Sequence, residues 1–330
     1  MKTNYKKLNF EYRTKIDKYI LMEGIMIVKS RLVGLEKNDN NGNKTKYVIE
    51  KVAKNIFLLS ALVAVASLLL IIGFVFYKGL RPFVFEGYSF IDFLTGADWV
   101  PSANKFGISS MIVASIFATL GALVIGVPVG ILTSVFIAEV APKRLAKIMS
   151  PAVELLAGIP SVLYGVFGLA VIVPTIQSIF NLPKGQSLLA IVIVLAVMML
   201  PTIISVSETA IRAVPKAYKE GSLALGASKI ETIFKVVLPA AKSGVLAAVV
   251  LGVGRALGET MAVILVAGNS PVMPTAITDS VRPLTTNIAL EMGYAFGTHQ
   301  EMLFATGVVL FTFILILNLV LNKLSNKAVN

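Results

Sequence analysis

The sequence predicts an all-α polytopic membrane protein, and three observations carry that prediction. Hydrophobic residues make up 56% of the chain against 15% charged residues, with a mean hydropathy of +0.82, which is more apolar surface than one soluble core of 330 residues can bury. Six apolar runs are each long enough to cross a hydrocarbon core of about 30 Å. They lie at roughly 56–77, 108–138, 151–180, 188–207, 243–268 and 302–322. Lysine and arginine fall mainly in alternate connecting segments, as they do when topology is set by charge.

The chain opens with a basic segment, residues 1–55, expected as a cytoplasmic tail before a six-helix domain at 56–330. Within it Tyr19 to Val33 is apolar but interrupted by Glu23, Lys29 and Arg31, too short and too charged to span, so it reads as interfacial or disordered. Asn38 to Asn43 reads as a flexible linker, and Met22 or Met26 could serve as the start. The first apolar run has no short h-region followed by a small-residue cleavage site, so no cleavable signal peptide is expected.

The second and third runs contain Pro128, Pro160 and Pro174. Proline removes a backbone donor and clashes with the preceding turn, so interrupted or tilted helices are expected there. The Ile159-Pro160-Ser161 step is the most suggestive, because freed backbone groups line cavities in transporters, although a kink that merely packs explains it as well. Glu154 and Glu208 sit at span ends, and Glu154 lies close enough in sequence to Lys143, Arg144 and Lys147 to form an interfacial charge pair.

The charge balance supports both termini in the cytoplasm. Thirteen Lys and Arg precede residue 55, six more occupy 208–242, and Lys323 and Lys327 follow the last run. The opposite side holds only Lys78, Arg81, Lys105, Lys184 and Arg282. The net charge of +12 is therefore a topology signal. Nucleic-acid binding is not expected, since the basic residues are spread over several loops without interleaved aromatics.

Between the fourth and fifth runs lies a polar island, residues 208–242. Pro215 can start a helix, where its missing N–H costs nothing, and Lys216 to Leu225 would continue it until Gly226 turns the chain. Ser228-Lys-Ile-Glu231 has the capping-box pattern that starts a second helix, running through Ile233, Phe234, Val236 and Val237 to Leu238-Pro239. The product is a helix, a tight turn and a helix, a shape suited to docking.

The fifth run carries charge. Arg255 and Glu259 are one turn apart on a continuous helix, so they can neutralise each other, while Gly254 and Gly258 would let a neighbouring helix approach closely. An intramembrane charge costs at least about 2.5–3.5 kcal/mol on insertion scales, so this pair is either structural or part of a polar pathway. Thr260 and Ser161 could offer hydroxyls to an anion or bond back to their own helices. His299, the single histidine, reads as a surface residue, and zero cysteine excludes disulfides and thiolate metal sites, so no metal site is expected.

Enzymatic readings lack parts. No phosphate-binding Gly-x-x-x-x-Gly-Lys-Ser/Thr sequence is present, and Gly252, Gly254 and Gly258 follow no strand that could build a dinucleotide fold. ATP, if used, must be hydrolysed elsewhere.

Glu220, Gly226 six residues on, then Ile233 and Leu238-Pro239 resemble the cytoplasmic loop signature, the EAA motif, of permease subunits in ATP-binding-cassette importers. Where that family usually has Glu-Ala-Ala this chain has Glu220-Gly221-Ser222, and a mid-helix glycine costs about 1 kcal/mol relative to alanine. Three more segments resemble the PstC-type permease of phosphate importers: Glu154 to Gly165, Gly254 to Met261, and Asp98-Trp99-Val-Pro101 through Phe106-Gly107. The resemblance covers about residue 56 to the C-terminus and implies a type I importer permease fold with a coupling helix at about 219–231. It implies that Glu220, Gly226, Ala227, Ser228, Glu231, Leu238 and Pro239 form the ATPase-coupling loop. Candidate pathway residues are Arg255, Glu259, Thr260, Pro160 and Ser161. It also implies partners: a PstA-type second permease, a PstB-type ATPase dimer that holds ATP and Mg, and a PstS-type phosphate-binding protein, all at a prokaryotic plasma membrane. A permease for another oxyanion or small solute, and an ion-coupled secondary transporter, are the alternatives.

Overall fold

The structure, a computed structural model, describes residues 44–329, which fall into two units divided between Ile71 and Ile72. The Tyr19–Val33 segment and the linker at 38–43 lie outside the described residues. In the first unit the described part is the beginning of helix α1 (Lys44–Phe85), whose Phe57, Leu59 and Leu69 side chains are exposed along its length. Residues 44–55, expected within the tail, are therefore helical, because the Leu/Ile/Val/Ala run that follows contains no breaker before Gly73.

Among the described residues five helices are long and apolar enough to cross a membrane: Glu50–Phe85, Ser109–Val140, Ser161–Phe180, Leu188–Arg212 and Thr298–Val320. A sixth span is supplied by two helices bent by 71° at their junction, Lys229–Ala240 and Lys242–Gly258. Two expected spans are corrected in detail. The run at 151–180 is not continuous: an amphipathic helix, Lys143–Ala157, ends before Gly158-Ile159-Pro160 and the span restarts at Ser161. The run at 243–268 breaks at Glu259.

In the second unit, α1 is followed by α2 (Phe90–Thr95), a hairpin of β1 (Trp99–Val100) and β2 (Lys105–Phe106), and α3 (Ser109–Val135). Next come α4 (Lys143–Ala157), α5 (Ser161–Phe167), α6 (Val173–Phe180) and α7 (Leu188–Arg212). The polar island supplies α8 (Lys216–Ala224), α9 (Lys229–Thr232) and α10 (Leu238–Ala240). The chain then forms α11 (Lys242–Gly258), α12 (Met261–Val266), α13 (Leu284–Glu291) and α14 (Thr298–Val329). Three wider π-turns, Phe136–Val140, Gly168–Ile172 and Ile233–Val237, are spliced into this sequence of helices.

The core is the crossing of α3 and α7. Every fourth residue of α3 facing that crossing is small and buried: Ala114, Ala118, Ala122, Gly126 and Gly130. A Cβ at Gly126 or Gly130 would overlap Met199 or Ile203 of α7, so the stripe sets the close approach of the two helices, as small residues do where apolar burial alone cannot drive association. Pro128 lies inside α3 without ending it, whereas Pro160 separates α4 from α5 and Pro174 opens α6 after a π-turn.

At the hairpin end, Glu291 is 6% exposed and fully engaged. Trp99 donates from Nε1 to Oε2 at 2.7 Å, Arg282 donates from Nη1 to Oε1 at 2.6 Å, and His299 Nε2 is 2.8 Å from Oε2. A buried carboxylate needs such partners, because leaving it unpaired costs several kcal/mol. His299, expected on the surface, is instead packed between Trp99, Phe106 and Tyr294 and joins this cluster. Its polar partner, Glu291, lies eight residues back at the end of α13, across a turn that no helical spacing bridges.

Candidate functional site

Two groups of residues stand at opposite ends of α11, which at 1.5 Å per residue is about 25 Å long. The first is the polar island. α8 starts after Pro215 and runs through Gly221 without a gap, so the glycine in place of alanine does not interrupt it. Leu225 ends it and Gly226 takes a positive φ of 86°, which glycine adopts at no steric cost. Ser228 then caps α9 with a reciprocal box: its side chain accepts from the Glu231 N–H at 3.3 Å, and the Glu231 carboxylate accepts from the Ser228 N–H at 3.1 Å. Ala227 joins the two helices, its N–H bonded back to the Ser222 carbonyl at 3.3 Å. Leu238 and Pro239 follow the Ile233–Val237 π-turn and open α10, after which the chain bends into α11.

Several polar groups of the island are paired within the chain, while several of its large apolar side chains face out. Lys235 bonds to Glu231 at 3.2 Å, and the Ser222 and Thr232 hydroxyls lie 3.0 Å apart. Leu225 is 91% exposed and Ile230 70% exposed, with Tyr218, Leu223 and Phe234 also exposed. Glu220 is exposed as well. Ile233 and Val237 pack back on Val135, Ile211 and Val214, and Lys219, the neighbour of Glu220, forms an ion pair with Glu139 in the Phe136–Val140 π-turn. Beside it, Glu208 is buried and accepts from Ser150 Oγ at 2.9 Å and Arg212 Nε at 2.8 Å, and Arg212 Nη2 donates to the Ile137 carbonyl at 3.2 Å. Glu154, by contrast, is exposed, and no ion pair of it with Lys143, Arg144 or Lys147 occurs among the described residues.

The second group lies where α11 ends. Arg255 is in its last turn, and its Nε is buried with no hydrogen-bond partner among the described residues. The expected pairing with Glu259 does not form. Glu259 lies beyond the helix end in extended backbone (φ −71°, ψ 130°), and its Oε1 accepts from the Ala262 N–H at 3.1 Å, capping α12. Gly258 and β-branched Thr260 are weak helix formers on either side of it, so capping the next helix wins over continuing the first. The Glu259 carbonyl accepts from Thr285 Oγ1 at 3.1 Å, and Thr260 donates to the Gly258 carbonyl at 3.3 Å. The expected close approach at Gly254 and Gly258 is also corrected: a Cβ at either would meet nothing within 4 Å, whereas one at Gly252 would strike Ile203. The Gly254–Gly258 face is therefore open, and Leu251 on the same face is exposed.

The two chain breaks meet. α5 packs on α12, with Gly165 so close to Ala262 that a Cβ would sit 2.8 Å from its Cα. Pro160 has extended backbone and starts α5, its carbonyl accepting from Leu163 at 3.0 Å. Ser161 is half-buried at the first position of that helix. Tyr164 bridges the break by donating its hydroxyl proton to the Leu156 carbonyl at 2.6 Å, and it lies within electrostatic reach of Arg255. A narrow cavity of about 10 Å³ is lined by Ser115, Thr119, Leu257, Glu259, Val263 and Thr285, about the size of one water site. The sequence missed Glu139 and Arg212, and although Tyr164 and Lys219 fall inside segments singled out above, it did not disclose their contacts. Only the lone acid Glu139 in an apolar run offered a signal.

Residues 126–329 match the family described as binding-protein-dependent transport system inner membrane component. A Bacillus subtilis (strain 168) protein, "Probable ABC transporter permease protein YqgH", is 39% identical over 306 residues, covering 92% of this chain and 97% of its own. The "Phosphate transport system permease protein PstC" of Xylella fastidiosa (strain 9a5c) is 36% identical over 297 residues, covering 83% and 89%. Among solved structures, a bacterial ABC transporter involved in the import of the acidic polysaccharide alginate aligns with a TM-score of 0.60 at 18% identity, over 85% of this chain and 99% of that one, a likeness of fold.

Proposed function

The chain belongs to the binding-protein-dependent transport system inner membrane component family, and from that premise we propose that it is one of two permease subunits of an ATP-driven phosphate importer. It is a multi-pass membrane protein of the type I importer permease fold, a permease and not the ATPase. The observation that carries the proposal is the pairing of an apolar docking knob at one end of α11 with, at the other, a guanidinium whose buried Nε has no hydrogen-bond partner among the described residues.

In this reading the 219–231 loop inserts its exposed Leu225 and Ile230 into a PstB-type ATPase dimer, which binds ATP and Mg. Closure of that dimer moves the loop and switches access to the pathway from one side of the membrane to the other. The open face of α11 at Leu251, Gly254 and Gly258 lines half of the pathway, and a PstA-type second permease supplies the other half. Arg255, with donors suited to phosphate oxygens and no fixed partner on Nε, makes transient contact with the anion. Pro160, Ser161, Glu259 and Thr260 shape the break beside it. A PstS-type protein delivers phosphate at the hairpin end, and both termini lie in the cytoplasm. Residues 56–330 form the permease domain.

The kinship with PstC proteins supports phosphate as cargo. The test is phosphate uptake in vesicles holding this chain with its second permease, ATPase and binding protein. Uptake should require hydrolysable ATP and the ATPase subunit. Uptake that survives loss of the ATPase but collapses with the ion gradient would establish secondary transport instead, and ATP-driven uptake of a different solute would move the cargo to another anion.

A further inference from the structure

The π-turn Phe136–Val140 sits at the junction between α3, a core helix, and α4, which leads to the Pro160 break. It is gripped from two sides. From α7, Arg212 donates to the Ile137 carbonyl, one of the acceptors that a helix end leaves without a partner in its own ladder. Arg212 is itself held by buried Glu208, which also receives the Ser150 hydroxyl of α4. From the other side, Lys219 of α8 pairs with Glu139. Both side chains of this pair are mostly buried, at 23% and 12% exposure, so solvent screens it less than a surface pair. Lys219 faces the chain while Leu223 and Leu225 face away.

We propose that the Lys219–Glu139 pair is a strut that makes the α3–α4 junction move with α8, with Arg212 and Glu208 as the fixed anchor against which it moves. Lys219 and Glu139 are positioning residues: they touch neither cargo nor nucleotide, and they act through α4 on the Pro160 break. Apolar packing of Ile233 and Val237 on Val135 also ties the island to the end of α3, but the strut is the charged contact that reaches from α8 itself into the π-turn, and without it the α4 side would lag. This inference rests on the proposed coupling of α8 to an ATPase.

The experiment uses the complete reconstituted transporter and measures both phosphate imported per ATP hydrolysed and the stimulation of hydrolysis by the binding protein. Lys219→Gln and Glu139→Gln are each expected to lower the import ratio about tenfold, within the range of ordinary site-to-site coupling, and to blunt stimulation. The charge-swapped pair Lys219→Glu with Glu139→Lys should restore both. As a second route, Lys219→Cys with Glu139→Cys, in a chain with no native cysteine, should be uncoupled when reduced and recover when a short bis-methanethiosulfonate bridges the two, each thiolate displacing one sulfinate. That arm decides the matter if the single variants do not assemble. An unchanged ratio in the single variants, or a loss that neither the swap nor the bridge repairs, would overturn the strut. A wild-type complex that imports no phosphate would count against the cargo alone, because stimulated hydrolysis reads the strut without phosphate.

Discussion

The two ends of α11 are built on opposite principles. At the Lys242 end three ion pairs form within the chain, Lys219 with Glu139, Arg212 with Glu208 and Lys235 with Glu231, and large apolar side chains are left facing out. At the Gly258 end the surroundings are closely packed, yet, among the described residues, a guanidinium nitrogen is buried without a partner and two glycines face open space. A surface whose polar groups are satisfied and whose apolar groups are not is suited to a lasting protein contact. A buried donor without a partner suits a visitor that comes and goes, since a fully matched site would hold it.

The comparison breaks most readily at Arg255. Arg255→Ala should lower uptake by about 10- to 100-fold, the effect of removing a hydrogen bond to a charged group, with normal assembly of the complex. Vesicle uptake at saturating ATP measures it, and a normal rate would remove the pathway role. Gly226→Val tests the other end. A β-branched residue at φ 86° costs about 1–3 kcal/mol, and the variant should hydrolyse ATP with little transport; an unchanged ratio of transport to hydrolysis would count against docking through this turn. Ser228→Ala sharpens the picture with the smallest effect, a loss of about 1 kcal/mol from the α9 cap. Faster amide exchange at Glu231 and Thr232, with exchange in α12 unchanged, would show that the two ends are stabilised separately.

The polar island was legible because its determinants are local. Gly226 sets the turn and Ser228 with Glu231 sets the cap, and each acts within four residues of itself. The six spans were legible from length and hydropathy. The Gly258 end was not, because continuity of α11 past Gly258 is a contest between neighbours: Glu259 has an alternative use as a cap for α12, and the side chain that donates to its carbonyl, Thr285, is on another element. The periodicity that paired Arg255 with Glu259 assumed one helix where there are two. Gly254 and Gly258 were misread for a related reason. Small residues permit close approach, but which face is occupied depends on where α7 lies, and it lies against Gly252. Likewise, His299 and Lys219 meet partners 8 and 80 residues away, and for Lys219 no spacing rule reaches that far.

The 71° bend at Ala241, between the short helix that follows the loop and α11, turns this part of the molecule into a bell crank. One arm lies with the loop and the other, about 25 Å long, carries Arg255 near its tip. Pivoting the long arm by about 10° sweeps its tip through about 4 Å, the arc of an arm that long. In the proposed importer, a small sideways push on the loop would thus become a displacement of Arg255 comparable to the diameter of a small anion, with the helix moving as one lever.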